Sequence, residues 1–493
     1  MHQLPHHLYR ADQVRELDRI AIEEQGILAA VLMERAGAAA FDALRAHFSD
    51  ARTIAVVCGP GNNGGDGYVI ARLARAAGLS VTVHALQPTR GGAAAEAASR
   101  LRTSGASLAI YTGHALDGYD VIVDAIVGTG LDRELEGVYR DAVEAINASG
   151  SAVVAVDIPS GLHADSGRVL GVCVRADLTV TFIGLKQGMF TGAGRRHCGA
   201  IEYDSLGVPE TVFARVDPAA LRLSFDALKS LLGPRPADAN KGDFGHVLVV
   251  GGDYGMMGAA VLAGEAALRT GAGLVTVATR AHHAAVVSAS RPELMARGVE
   301  GAPDLAPLLE RASVVAVGPG LGRSEWAQRL LGAVLESRLP LVADADALNL
   351  LAVEPINRDN WVITPHPGEA ARMLQCAVAD VERDRFRTVR DLQARHGGAV
   401  VLKGAGSLVC TPDGVIGVCD AGNPGMASGG MGDALTGVIA ALMAQGVSLA
   451  DAAGLGTVVH AEAGDRAAAQ GERGLIASDL IAELRAVANP PRR

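Results

Sequence analysis

Gly429, Gly430, Gly432 and Asp433 stand nearly side by side in the stretch GNPGMASGGMGDALTGVIAAL, Gly422 to Leu442. The glycines allow a tight backbone turn, and from Ala434 onward the apolar residues run on with Gly437 as the one breaker, so Asp433 marks the start of a predicted helix. Such a helix aims unpaired N–H groups into the loop, a site for phosphate or for oxygen charge developing in phosphoryl transfer. A carboxylate is unfavourable beside phosphate unless it accepts a proton from an attacking hydroxyl. The plainer alternative is that Asp433 is a helix N-cap.

A second set of oxygen-bearing residues lies in the first half. Asn62, Asn63 and Asp66 sit in GPGNNGGDG, and Asp124 and Asp157 end the apolar runs VIVD and AVVAVD, with Ser160 just after. Carboxyl ends of parallel strands line ligand crevices, so these groups can converge on one site rich in oxygens and poor in cations, able to hold a cation and handle protons. For any single Asp a turn or helix cap is the commoner role; three such loops in one half favour the site. Gly59, Gly61 and Gly64 formally match GxGxxG, but the acidic residue expected after the second strand is missing and Asp66 would repel a pyrophosphate, which disfavours a nicotinamide dehydrogenase.

Among 44 basic residues only four are lysines, Lys186, Lys229, Lys241 and Lys403. Three lie in Gly-containing loops, where a compact ammonium serves differently from Arg's planar fork. Lys403 and Ser407 in LKGAGS can hold phosphate. His366, between prolines in TPHPGE, reads as a rigid strand-end residue, with Glu369 within reach of a Mg²⁺ ion through water.

The elements that carry these residues alternate. Amphipathic helices fill Arg10 to about Phe48. Then TIAVVCG, the loop GPGNNGGDG, the helix YVIARLARAAG and VTVHAL make a βαβ unit. Near Leu221 the pattern restarts: LRLSFDALKSLLG reads as a helix, followed by a Pro/Gly-punctuated junction and a second series of strands, Gly loops and helices. The fold class is α/β, with domains at 1–220 and 221–493. A length of 493 residues fits two or three domains. A net charge of -10 without a Lys/Arg cluster argues against nucleic acid. Six cysteines without a CxxC pair indicate neither zinc nor a disulfide framework and fit a reducing cytoplasm. The apolar runs are too short for a bilayer, and we expect a soluble, cytoplasmic chain.

The second half resembles the ribokinase-like NAD(P)H-hydrate dehydratases through KGDFGHVLVVGG, GAGLVTVAT, GPGLG, DADALN, TPHPGE and GNPGMASGGMGD, in family order. The first half resembles the NAD(P)H-hydrate epimerases, Rossmann-like doubly wound domains, through GPGNNGGDG, VDAIVGTGL and VDIPSG. The resemblance implies repair of NADH and NADPH hydrated across C5–C6, with the R and S hydrates as small-molecule substrates and ADP as phosphate donor. It places epimerase substrate on Asn62, Asn63, Gly64, Gly65, Asp66, on Gly128, Thr129, Gly130, Leu131, Asp132, Arg133, Glu134, and on Asp157. K⁺ falls on Asn63, Asp124 and Ser160. Dehydratase substrate falls on Ala259, Gly320, His366 and Asp433, and the adenylate on Lys403, Gly404, Ala405, Gly406, Ser407 and Gly432. Asp433 and Asp157 are the expected catalytic residues, the latter with Lys186 nearby. Mg²⁺ in the dehydratase and a homo-oligomer are further expectations. The competing reading is an ATP-dependent kinase of a small hydroxylated metabolite with a scaffold-like first domain.

Overall fold

Short β-branched runs bounded by glycine and polar residues build the strands of both halves. In the computed structural model, which describes residues 4–489, the chain divides into two compact units after Leu221. The first contains α1 (Ala11–Arg19), α2 (Ala29–His47), β1 (Thr53–Cys58), α3 (Asn62–Ala76), β2 (Ser80–Ala85), α4 (Gly92–Thr103), β3 (Leu108–Ile110), β4 (Val121–Ala125), α5 (Val138–Ala148), β5 (Ala152–Val156), β6 (Leu178–Phe182) and β7 (Ala200–Asp204). Seven of its strands form one parallel sheet, in the order β3-β2-β1-β4-β5-β6-β7. Neighbouring residues of one strand face opposite ways: Val56 packs with α1 to α4 on one face, and Val57 packs with α5 on the other. This is a Rossmann-like, doubly wound layer.

The winding reverses between β1 and β4, where such sheets bind ligands. There the Gly59 N–H donates to the Ala125 carbonyl at 2.9 Å, and a Cβ on Gly59 would lie 1.9 Å from the Ile126 carbonyl oxygen. The NNGGD segment, expected as loop, is the first part of α3. Its glycines serve close approach: a Cβ on Gly64 would meet the Gly59 carbonyl at 1.9 Å, and one on Gly67 would meet Ala125 at 2.6 Å.

The helix expected over LRLSFDALKSLLG shrinks to Phe225–Leu228 and a 3-10 turn, Lys229–Leu231: Ala220–Leu223 is a strand, Ser224 caps the short helix, and the following GPRP cannot continue it. Beyond lie β8 (His246–Val250), α6 (Met257–Thr270), β9 (Leu274–Thr279), β10 (Met295–Gly298), β11 (Val314–Val317), β12 (Leu341–Ala343), α7 (Ala345–Leu351), β13 (Trp361–Ile363), α8 (Pro367–Leu374), α9 (Arg385–His396), β14 (Ala399–Leu402), β15 (Ser407–Cys410), β16 (Ile416–Cys419), α10 (Met431–Ala444), α11 (Leu449–Ala468) and α12 (Ala477–Val487). The strands run β10-β9-β8-β11-β12-β13-β14-β15-β16, parallel as far as β14, with β15 and β16 returning antiparallel. Here the reversal falls between β8 and β11. Among the described residues no helix is long and apolar enough to cross a membrane.

Helix α10 is buried on nearly every side, against α6, α11 and the sheet. Gly437 sets its distance from α6, because a Cβ there would lie 2.0 Å from the Ala263 carbonyl oxygen. Gly437→Ala gains about 1 kcal/mol of helix propensity but must push two helices apart at roughly 1–3 kcal/mol or more. The expected result is a lowered melting temperature for the second unit in calorimetry; a raised one would show that the α6 contact does not set the spacing.

Candidate active sites

In the first unit the carboxyl ends of β1 and β4 open into a cavity of about 1140 Å³. Asn62, Asn63, Asp66, Asp157 and the whole segment Gly128, Thr129, Gly130, Leu131, Asp132, Arg133, Glu134 line it. Gly64 and Gly65 do not. They are pressed against Gly59 and against Met33 and Ala94, so their place is in helix packing.

Asp157 has a φ of +72°, a conformation that costs a non-glycine residue about 1–3 kcal/mol and persists only where surroundings enforce it. Its Oδ2 accepts from the Thr129 N–H at 2.9 Å and the Thr129 hydroxyl at 2.6 Å, and Oδ1 pairs with the Lys186 ammonium. Lys186 is fully buried; it also donates to Thr181 Oγ1 at 2.9 Å and to the Phe182 carbonyl at 3.3 Å. The Thr129 N–H, the Thr129 hydroxyl and the Lys186 ammonium thus hold both oxygens of Asp157 at the cavity wall.

Asp66 and Asp18 are among the other carboxyls that line the cavity. Burial, then the charges of Asp157 and Asp18, push Asp66 well above the usual carboxylate range. Burial, opposed by Lys186 and reinforced by Asp157, pushes Asp18 up to about 6. Asp124 is buried behind them, with Oδ1 accepting from Ser160 Oγ at 2.6 Å and Oδ2 from the Ser160 N–H at 2.8 Å; burial lifts it to about 6. The turn-holding role is therefore filled by Asp124. Asn63 is different: its Oδ1 and Nδ2 are buried and meet no partner among the described residues. The cavity is also less poor in cations than expected, because Arg15, Arg90 and Arg133 reach it from distant segments.

In the second unit Gly430 precedes α10 with φ +90°, and Asp433 is in the first turn without capping anything. The N-cap alternative thus falls. The N–H groups of Met431, Gly432 and Asp433 meet no acceptor among the described residues. Burial first, then the Asp344 charge, raise Asp433 to about 7. Lys403 does not reach out as a free point charge. Its Nζ donates to Asp344 Oδ1 at 2.6 Å and lies 3.8 Å from Glu369 Oε2. Thr436 Oγ1 donates to Asp344 Oδ2 at 2.9 Å. Burial pushes Asp344 up, but the Lys403 charge and hydrogen bond more than offset it and hold it below the carboxylate range.

A Cβ on Gly432 would lie 3.2 Å from Lys403 Nζ, so the Lys403 loop and the α10 start meet. Gly404 has φ +140° and passes over Arg385, which donates to the Lys403 carbonyl at 3.1 Å. Ser407 Oγ donates to the Gly404 carbonyl at 3.1 Å, stiffening the same loop with Ala405 and Gly406. His366 caps α8, its Nδ1 accepting from the Gly368 N–H at 2.9 Å while Glu369 Oε2 accepts from the His366 N–H at 2.8 Å. Burial and the Lys403 charge keep His366 neutral. Gly320 (φ +57°) sits at the β8/β11 reversal, its Cβ position 3.2 Å from that of Ala259.

Residues 247–486 match the family described as NAD(P)H-hydrate dehydratase, and residues 29–188 the family described as YjeF-related protein N-terminus. Over the full length the chain is 50% identical to the bifunctional NAD(P)H-hydrate repair enzyme Nnr of Coxiella burnetii, covering 98% of this chain and 99% of that one. The Escherichia coli enzyme of the same name is 45% identical, with 99% and 95% covered. The chain belongs to the bifunctional NAD(P)H-hydrate repair enzyme family. A ribokinase-like superfamily protein from Enterococcus faecalis superposes on 54% of this chain and 94% of its own, at 30% identity and a TM-score of 0.50.

Within this repair-enzyme chain, Asp18, Arg15, Arg90, Asp344, Thr436 and Arg385 are the site groups that sequence reasoning passed over. DADALN contained a signal for Asp344, an apolar run ending in a carboxylate; the others carry none. Among the described residues no three His, Cys, Asp or Glu converge on a metal position. Glu369 is 5% exposed and committed to His366 and Lys403, so it does not fit as a direct Mg²⁺ ligand. Asn63, with a buried unpartnered oxygen, does fit a weakly hydrated cation.

Removing Lys403 strands the Asp344 charge in the interior. Lys403→Met is expected to cost the second unit about 3–5 kcal/mol, and Lys403→Met with Asp344→Asn to recover most of it. Calorimetry of both variants checks this; equal losses would mean that the pair is not the source.

Proposed function

We propose that the first-unit cavity, in domain 1–220, interconverts the R and S hydrates of NADH and NADPH, and that the 221–493 domain returns the S hydrate to NAD(P)H at the expense of ADP. Epimerase and dehydratase together make the chain a repair enzyme, as its full-length relatives are named. The observation that carries the second half is Asp433 beside the open N–H groups of α10.

The C6 hydroxyl attacks the terminal phosphoryl group of ADP, and Asp433 accepts its proton. The open N–H groups hold the charge that develops on the phosphoryl oxygens. Phosphate is a far better leaving group than hydroxide; the ring nitrogen expels it, C5 releases a proton and the C5–C6 double bond returns, leaving AMP and phosphate. The Lys403 to Ser407 loop, braced by Arg385, and Gly432 hold the adenylate, while Ala259, Gly320 and His366 hold the substrate. Mg²⁺ accompanying the nucleotide would screen its phosphate charge, carried by the phosphates more than by protein carboxylates.

In the first unit Asp157 is the acid/base at C6, with Lys186 fixing its charge. K⁺ would be held by Asn63, with Asp124 and Ser160 behind it, and would supply a fixed positive charge at the cavity wall. The small-metabolite kinase and the scaffold reading have no observation in their favour, since relatedness to the repair enzymes runs through both units.

Recovery of reduced-nicotinamide absorbance from mixed R/S hydrates with ADP tests both halves. Wild type should recover all of it, Asp157→Ala roughly the S share, and Asp433→Asn none while still binding nucleotide; full recovery by Asp433→Asn would remove it as the base. Asp433 must be ionised to accept a proton, and it is raised to about 7. Single-turnover dehydration should therefore be flat above that pH and fall about tenfold per unit below it. A rate unchanged down to pH 5 would contradict the assignment.

A further inference from the structure

Asp18 lies on α1, just before a π-helical turn, Ile20–Glu24, and lines the same cavity as Asp157. Among the described residues its carboxyl makes no hydrogen bond and no ion pair, whereas Asp157 has Thr129 twice and Lys186. Asn63, buried and unpartnered in the same cavity wall, independently marks this space as built for a polar ligand. One cation, Lys186, is thus shared by neighbouring carboxyls and is spent on one of them. Burial and the Asp157 charge raise the other to about 6, so that it titrates close to neutral pH and can both hold and give up a proton there. Asp66 is raised for the same reason but sits deeper, at 9% exposure.

We propose that Asp18 is the proton donor of the epimerisation and works against Asp157 as the proton acceptor. The inference rests on the epimerase reading of the first unit. Asp18 gives its proton to the C6 hydroxyl; the C6–O bond breaks with its electron pair going to oxygen, water leaves, and the ring-nitrogen lone pair forms a C6=N iminium. The ionised Asp18 then faces that cation, a stabilisation that a neutral ring-opened aldehyde would not use. Water adds to the other face of C6, Asp157 removes its proton, and the π pair returns to nitrogen. The net result is the opposite hydroxyl configuration, with one proton moved from Asp18 to Asp157. The return from R to S runs through the same two groups with their roles exchanged, as a reversible, isoenergetic reaction requires.

The test starts from pure S hydrate without nucleotide and follows appearance of the R form with the full-length chain. Asp18→Asn is expected to lower kcat on the order of 10²-fold or more with KM within threefold, and Asp18→Glu to recover part of it. Dehydration of S hydrate with ADP by the same preparation reports that the chain is folded. Wild-type interconversion by Asp18→Asn beside a dead Asp157→Asn would overturn the inference and leave the epimerase reading standing, as would a loss confined to Asp66→Asn. A wild-type chain that forms no R hydrate would overturn both.

Discussion

A buried charge needs a partner, and this chain has very few lysines to offer. Each unit places one at the ends of its central strands, Lys186 on Asp157 and Lys403 on Asp344. Removing a charge from water costs several kcal/mol unless an opposite charge and good hydrogen bonds replace the solvent. One lysine can do this for one carboxylate. The carboxyls that crowd around it, Asp18 and Asp66 in the first unit and Glu369 and Asp433 in the second, are left short of positive charge and rise above the usual carboxylate range. A single ammonium thus sorts each set into one member that it pairs and members whose hold on a proton is strengthened.

That sorting depends on the backbone arriving within reach. In both sheets the winding reverses beside the site, and the connecting loops cross so closely that only glycine fits: Gly59 against the Ile126 carbonyl in the first unit, Gly251 against the Pro319 carbonyl in the second. The glycine-rich stretches are therefore rigid parts. They bring Asn62, Asn63 and Asp66, or Gly320 and the α10 start, to strand ends that already carry carboxylates. Pairing at the strand ends and close approach at the reversal are two halves of one arrangement.

Much of this was legible because strand ends announce themselves. Asp124 and Asp157 each close an apolar run, and Asp433 stands where glycines give way to a continuous apolar helix. What stayed hidden is equally physical. Asp18 lies on an amphipathic helix, where a polar residue between apolar ones reads as a solvent-facing group. Arg15 and Arg90 join Arg133 only through tertiary structure, so the first site looked poorer in cations than it is. The NNGGD segment read as loop because glycine disfavours helices, a local preference overridden by the need to bring α3 against β1 and β4. Lys403 was legible as functional, but its partner Asp344 lies 59 residues away, and only that partner shows that its charge is spent inside the site.

The two chemistries also explain why the sites differ beyond their shared lysine pair. Epimerisation has no thermodynamic direction, so its site needs only groups that exchange protons with the substrate in both directions, and the first cavity is furnished with carboxyls of that kind. Dehydration with phosphoryl transfer is driven by cleavage of a phosphoanhydride, so its site must hold a polyanion and favour one direction. Open N–H groups at the start of a long buried helix meet that need without adding a mobile cation. Because the driven step consumes only one epimer, it pulls the undriven equilibrium after it through the shared S hydrate. A single chain carrying both therefore clears a mixture that neither site could clear alone.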